Sequence, residues 1–352
     1  MNFYQVQHGF YGGIDLHAKN FYVCIVDQSG NKLLHRNFKN AKPDEFFSAI
    51  KPWQDRIAVG CESTFNWYWL ADQCTDREIP FILGHAQYMR CIHGAKVKND
   101  KIDSEKLAYL LRGGNFPVSY VYPKQLRATR DLMRRRSHYV RRRAEAMAHI
   151  RMLNMQYNQP PIEGALAIKK NRQKLTDQLG ERFDEPSARL SAEIDLQTID
   201  DHDAKIRQLE RHLQQYAKID DANMYYRLRS IPGVGPTLAM VFMYEIGNIN
   251  RFRRVGQFLS YARLVRGQHS SAGRKYGNSG HKIGNPHLKW AFSEAALLCK
   301  RSCDRARSYA EHIERKHSKA RSLTLLANKL GRAIYYMMRR QQAFDPSVFQ
   351  IK

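Results

Sequence analysis

The sequence has no pair of cysteines spaced as CxxC. Its six cysteines, Cys24, Cys61, Cys74, Cys91, Cys299 and Cys303, are scattered over 352 residues. That argues against a disulfide-framed secreted domain and fits free thiols in a reducing compartment. Cys299 and Cys303 stand four apart, but no complementary ligand pair lies near them, so packing is a better account than zinc. No apolar run is long enough to cross a bilayer. The first residues, MNFYQVQHGFYGGIDLH, lack the basic segment and apolar stretch of a signal peptide. Internal repeats and low-complexity segments are absent as well. Acid is the scarce charge: 33 Asp and Glu stand against 58 Lys and Arg, a net +25. A hydrophobic content of 43% supplies real cores, and the length suits two or three domains. So basic a folded chain implies a polyanionic partner, with nucleic acid ahead of a membrane surface.

What is present is an alternation of strand and helix in the first third. Tyr11–Leu16 and Phe21–Val26 read as strands joined by a turn at 17–20, and a turn signal at 27–31 leads to a third strand, Leu33–Phe38. A helix around Pro43–Lys51, a buried strand Arg56–Cys61, a helix Trp67–Asp76 and a strand Ile79–Leu83 follow. This order predicts a mixed α/β sheet with helices on its faces. The next stretch, KNDKIDSEKLAYLL at 98–111, reads as a helix with Asp100 and Asp103 near its start. Such acids commonly cap a helix, and that is the plain reading of the pair.

Two further acids weaken the plain reading. Asp15 lies inside the apolar strand GGIDLH, and Glu62 ends the apolar strand AVGCE. A carboxylate flanked by Ile14 and Leu16 is costly to bury unless it is paired or holds a cation. Asp15 capping a turn or pairing with Lys19 is one reading. Convergence of Asp15, Glu62, Asp100 and Asp103 on a divalent cation is the other. An all-oxygen ligand set suits Mg²⁺ or Mn²⁺. Such sites orient and polarise phosphodiesters.

The set G-I-D-L-H-A-K, C-E-S-T and K-N-D-K-I-D-S-E-K-L-A resembles the DEDD tetrad of insertion-sequence transposases related to the Piv DNA invertase. The resemblance implies an RNase H-like, RuvC-like domain over 1–123 and assigns Asp15, Glu62, Asp100 and Asp103 to a Mg²⁺ site, with Mn²⁺ as a substitute. Ser104 stands where the family commonly has Ala.

After a glycine-rich exit at 112–123, a helix is expected over 124–157. It carries nine arginines, among them Arg134, Arg135, Arg136, Arg141, Arg142 and Arg143, against Asp131 and Glu145 alone on the same helix. In a basic protein such a helix is a candidate for phosphate contact; a solvated basic face is the alternative. NQPPIEG at 158–164 breaks it. A second helical stretch runs over 186–228, where Ile199, Ile206, Leu209, Leu213 and Tyr216 form a short heptad-like seam, read as an antiparallel hairpin or a dimerising coiled coil. Region 124–228 is thus a helical, coiled-coil middle.

Residues 229–352 read as a third, helical domain. Ile231-Pro-Gly-Val-Gly-Pro followed by a helix at 237–246 matches a helix-hairpin-helix, in which Gly233 and Gly235 leave amides free for a phosphate; an ordinary interhelix turn is the alternative. A basic, glycine-rich loop spans 263–286. Ser270 and Ser271 lie in it between Arg266 and Arg274/Lys275, with Lys282 further on. A serine hydroxyl needs a base, a metal or strong charge stabilisation before it attacks phosphorus. Helices are expected at 287–302, packing through Trp290, Phe292, Ala295, Leu297 and Leu298, and at 323–340.

F-L-S-Y-A-R-L-V, S-S-A-G and K-I-G-N-P-H-L-K-W-A-F-S-E-A-A resemble the C-terminal domain of the same family, which carries a nucleophilic serine in this loop. Counting from Ala272-Gly273 favours Ser271; counting from Lys282 allows Ser270. The resemblance implies an RNA-guided transposase and site-specific recombinase acting through a covalent phosphoserine–DNA link. It further implies a structured bridge RNA, donor and target DNA, and a dimer or tetramer sharing active sites between subunits. No membrane is involved, and the setting is the cytoplasm of a bacterium or archaeon, at the nucleoid. The competing reading is a RuvC-like metal-dependent structure-specific endonuclease without a covalent intermediate.

Overall fold

The computed structural model describes residues 2–89, 99–267, 270–271, 274–275 and 283–350; at 270, 271 and 275 only the backbone is described. The chain forms two compact units, Met1–Lys124 and Gln125–Lys352.

The first unit holds β1 (Phe3–Tyr4), β2 (Phe10–Leu16), β3 (Asn20–Asp27), β4 (Lys32–Lys39), α1 (Pro43–Ile50), β5 (Ile57–Glu62), α2 (Tyr68–Asp76), β6 (Phe81–Gly84), α3 (Ala86–Met89), α4 (Asp100–Arg112) and β7 (Phe116–Pro117). Five strands form one sheet in the order β4-β3-β2-β5-β6, and β1 pairs separately with β7. The β4-β3-β2 pairs are antiparallel and the β2-β5-β6 pairs parallel, an arrangement consistent with an RNase H-like domain. Strand alternation sorts the side chains between the two faces. Ile14, Leu16, Val23, Ile25, Val59 and Cys61 join Phe46, Phe47, Leu70 and Cys74 of α1 and α2. Tyr11, Cys24, Val26 and Ala58 point the other way, to Leu107, Ala108 and Leu111 of α4. Asp15 and Glu62 have the parity of Tyr11 and Ala58, so they belong to the α4 face.

The second unit is helical: α5 (Lys124–Gln156), α6 (Lys169–Arg182), α7 (Pro186–Arg229), α8 (Pro236–Ile246), α9 (Val255–Tyr261), α10 (Pro286–Ser302), α11 (Asp304–Glu314) and α12 (Lys319–Arg340), with a two-residue ribbon of β8 (Ser270–Ser271) and β9 (Arg274–Lys275). α5 and α7 run antiparallel. Arg136 meets Glu210, Arg143 meets Asp203 and His149 meets Asp195, so the partner number falls as the α5 number rises. The seam of α7 is buried within this unit: Ile199 packs with Ala146, Met147, Ile150 and Leu153, while Leu213 shares a core with Met133. Tyr216, assigned to that seam from its spacing, is 40% exposed. α7 is also broken at Asp221, whose extended backbone (φ −163°, ψ 87°) ends one helix and whose carboxylate accepts the Met224 amide at the start of the next.

Two helices of this unit escaped the sequence reading. α6 presents only Leu175 and Leu179 as buried apolar residues, and its third buried side chain is Arg172, held by Asp200, Asp203 and the Leu166 carbonyl. α11 buries only Ala306 and Ala310. On α10 the buried face is Leu288, Ala291, Phe292, Ala295, Ala296 and Cys299, whereas Trp290 and Leu297 are exposed. The expectation followed the largest apolar residues, but the 3–4 spacing of the small ones sets the face.

Candidate active site

The acids of the first unit are placed by a glycine. A Cβ on Gly13 would lie 2.2 Å from the Ala108 nitrogen and 2.2 Å from the Ser104 carbonyl oxygen. The backbone of α4 therefore rests directly on β2, a contact that only glycine allows. Ser104, in the place of the commoner alanine, is fully buried there, and its hydroxyl donates to the Lys101 carbonyl at 2.9 Å. This packing lays the first turn of α4 beside the end of β2. Parallel pairing of β2 with β5 puts Ile14 opposite Cys61, and Asp15 and Glu62 come one residue further along their strands.

Asp100 and Asp103 do not cap α4. Asn99 does, its side chain accepting the Ile102 amide at 2.8 Å. The capping account of these acids is thereby corrected: a neighbour fills that role. Asp103 is mostly buried and lies 3.6 Å from Lys106 Nζ, while Asp100 is exposed.

Asp15 pairs with His17 instead of Lys19. His17 Nε2 lies 3.1 Å from Asp15 Oδ2 and 3.3 Å from Asp100 Oδ1. Donor atoms of Asp15, His17 and Asp100 all fall within 4.8 Å of one another. Burial pushes the Asp15 carboxyl above its usual range; His17 opposes that rise, and the charges of Asp100 and Asp103 add to it. An acid raised by burial and by neighbouring acids marks a place that a cation stabilises. This donor set fits a divalent metal ion. His17 was passed over in the sequence because it reads as the first residue of a turn.

In the second unit the serine loop is described at its two ends and along its ribbon. Arg263 sits in the left-handed region (φ 56°) and its Nε donates to the carbonyls of Ile283 and Gly284. Gly284 (φ +95°) approaches the Tyr261 carbonyl so closely that a Cβ would lie 2.6 Å from it. The Asn285 amide also donates to that carbonyl, at 2.6 Å. The ribbon pairs Ser270 with Lys275 and Ser271 with Arg274. Arg266 and Arg274 are exposed. Lys282 and the side chains of Ser270, Ser271 and Lys275 lie outside the described residues.

Asn285 leads to a buried network absent from the sequence reading. Its amide nitrogen donates to Glu245 Oε2 at 2.8 Å, and Arg130 and Arg134 bind the same carboxylate at 3.1 and 2.7 Å. Glu245, in the apolar run PTLAMVFMYEI, is 1% exposed. Burial alone would raise its carboxyl; the Arg134 hydrogen bond, the charges of Arg130 and Arg134, and Asn285 outweigh that and hold it down to about 2.

This changes the account of the arginine-rich helix. The expectation counted only acids on α5 itself, but Arg134, Arg136 and Arg143 are paired with Glu245, Glu210 and Asp203 from other helices. Arg135, Arg141 and Arg142 are exposed; Arg135 lies over the Tyr139 ring and Arg142 contacts Glu145. Gly233 has a structural reason of its own. Its φ is +82°, and a Cβ would lie 2.6 Å from the Leu298 backbone of α10, whereas Gly235 at the start of α8 faces open space. Burial pushes the Cys299 thiol up to about 12, with Cys303 adding to the shift, which suits a packed thiol.

Two family patterns match the sequence. Residues 12–158 match the DEDD transposases of IS110 type, and residues 225–311 match the transposase IS116/IS110/IS902 family. The chain is 25% identical to a probable family 20 transposase of Pseudomonas aeruginosa, over 95% of this chain and 98% of that protein. It is 23% identical to the transposase for insertion sequence element IS1111A of Coxiella burnetii, over 94% and 90%. It is 22% identical to the transposase for insertion sequence element IS1328 of Yersinia enterocolitica, over 95% and 98%. No described helix is long and apolar enough to cross a membrane.

Proposed function

We propose that the chain is a member of the IS110/IS116 family of DEDD transposases and acts as the RNA-guided recombinase of an insertion sequence. The observation that carries this reading is the meeting of Asp15 and Asp100 where α4 rests on Gly13. In this account Asp15, Glu62, Asp100 and Asp103 hold Mg²⁺, which Mn²⁺ can replace. The ion, when bound, polarises the scissile phosphodiester and offsets its developing charge.

Ser271 is the nucleophile. Its Oγ forms a bond to phosphorus as the DNA P–O bond breaks; the displaced DNA end leaves as a hydroxyl that takes up the serine proton, and the phosphoserine diester is kept for strand exchange. Ser270 is the alternative register. Arg266, Arg274, Lys275 and Lys282 in the same loop clamp the phosphate, and the exposed Arg135, Arg141 and Arg142 contact the nucleic-acid backbone. A structured guide RNA pairs with donor and target DNA, so base pairing supplies sequence choice. The catalytic domain covers 1–123, a helical region 124–228 and the serine domain 229–352. A dimer or tetramer joins the serine of one subunit to the tetrad of another. The protein works at the nucleoid of its cell.

The test uses the full protein with its RNA, Mg²⁺ and labelled target DNA, followed by denaturation. A protein–DNA adduct that forms in the wild type and in Ser270→Ala, and is lost in Ser271→Ala and Asp100→Ala, is the expected result. Loss in Ser270→Ala alone moves the nucleophile by one residue. Cleaved DNA without an adduct in any variant rejects the serine mechanism in favour of a RuvC-like nuclease.

A further inference from the structure

His17 belongs to neither the DEDD set nor the serine loop, yet it sits between two of the four acids. We infer that His17 is a direct ligand, through Nε2, of the divalent ion held by Asp15 and Asp100, making the site a mixed nitrogen–oxygen one. The inference rests on the metal-site reading above.

The geometry carries it. Metal–ligand bonds of about 2.0–2.1 Å place neighbouring donors of an octahedral shell about 3 Å apart. His17 Nε2 stands 3.1 Å from Asp15 Oδ2 and 3.3 Å from Asp100 Oδ1. His17 Nε2 therefore stands from each carboxylate oxygen at the spacing of adjacent vertices around one ion, and all three donor atoms lie within 4.8 Å of one another. The imidazole is also held from behind. The His17 carbonyl accepts Asn40 Nδ2 at 2.8 Å and Asn66 Nδ2 at 2.7 Å, and its amide donates to the Asn20 carbonyl at 3.0 Å. Side chains beyond β4 and β5 thus fix the backbone of the exposed turn from which the imidazole reaches the acids. Fixing a ligand's backbone lowers the entropic cost of ordering its side chain on the ion.

The consequence is selectivity. Carboxylates suit Mg²⁺ and Mn²⁺ alike, whereas an imidazole favours first-row transition ions over Mg²⁺. A His17 ligand biases the site toward Mn²⁺ relative to an all-carboxylate tetrad. Removing it lowers Mn²⁺ affinity about ten-fold or more and changes Mg²⁺ affinity less.

The experiment needs no DNA. The full-length protein is loaded with one equivalent of Mn²⁺, and electron spin-echo envelope modulation is recorded for the wild type, His17→Gln, Asp15→Asn and Asp100→Asn, with circular dichroism to establish folding. Nitrogen modulation in the wild type that disappears in His17→Gln while the ion stays bound supports the inference. So does a Mn²⁺-over-Mg²⁺ preference that shrinks in the same variant. Mn²⁺ that depends on Asp15 and Asp100 but shows no His17-dependent modulation overturns the ligand role and leaves the carboxylate site intact. Mn²⁺ binding indifferent to Asp15 and Asp100 overturns the metal-site reading and the inference with it.

Discussion

Asp15 and Glu245 are both acids set among apolar neighbours, and their surroundings push them in opposite directions. Glu245 is enclosed by Arg130, Arg134 and Asn285 and held down to about 2. Asp15 is raised by burial, with Asp100 and Asp103 adding to the rise. The second unit supplies the counter-charge of Glu245 from its own arginines; in the first, Asp15 meets the exposed His17 at 3.1 Å, with Asp100 and Asp103 close enough to raise it further. A carboxylate already satisfied within the fold is a structural part, and one that crowds other carboxylates awaits a ligand.

The largest expected effect breaks the satisfied side. Glu245→Gln leaves the buried Arg130 and the partly exposed Arg134 short of their counter-charge and costs on the order of 3–5 kcal/mol, seen as a lower denaturation midpoint of the second unit. The ionised Glu245 also makes that unit acid-sensitive. Its folded value of about 2 lies below the ordinary 4.5, so its contribution is fully present above about 4.5 and is lost as pH falls through about 2. That contribution is on the order of 3 kcal/mol, and an acid titration of stability in wild type against Glu245→Gln measures it.

Next comes the acid cluster of the first unit. Asp15→Asn lowers DNA strand cleavage about a hundred-fold or more, while thermal unfolding without metal shows a first unit no less stable than the wild type. A large loss of stability would mean that Asp15 is structural like Glu245. Gly13→Val sharpens the same contrast. It forces α4 off β2 and costs about 1–3 kcal/mol or more, and it abolishes cleavage with all four acids still present.

The smallest effect separates arginines within one helix. Arg141→Ala with Arg142→Ala leaves stability within about 0.5 kcal/mol but weakens nucleic-acid binding and flattens its salt dependence, by about one unit of slope per lost phosphate contact. Arg134→Ala does the reverse and acts through Glu245.

The same contrast explains what the sequence reveals and what it conceals. The sheet of the first unit is legible because GGIDLH and RIAVGC are short apolar runs bounded by turn signals, and once they are strands, parity places Asp15 and Glu62 on the α4 face. The acids read as candidates because acids are rare in such strands. His17 is not legible, since its meaning depends on where α4 starts, and that depends on a backbone contact at Gly13. The arginines of α5 mislead for a related reason: their partners lie some 60–115 positions away, where no helical period registers them. α6 and α11 hide because their buried faces are short: two leucines and a paired arginine on α6, two alanines on α11.

The central claim is that the acids of the first unit form a divalent-ion site built into the fold. Thermal unfolding of the full protein, with and without Mg²⁺ or Mn²⁺, tests it most directly. At ten times its dissociation constant an ion that binds only the folded form contributes about 1.4 kcal/mol, a rise of a few degrees for a unit of this size. The account predicts that rise in the wild type and in Glu245→Gln, and its absence in Asp15→Asn and Asp100→Asn. An equal rise in all four proteins, or none in the wild type, would contradict it.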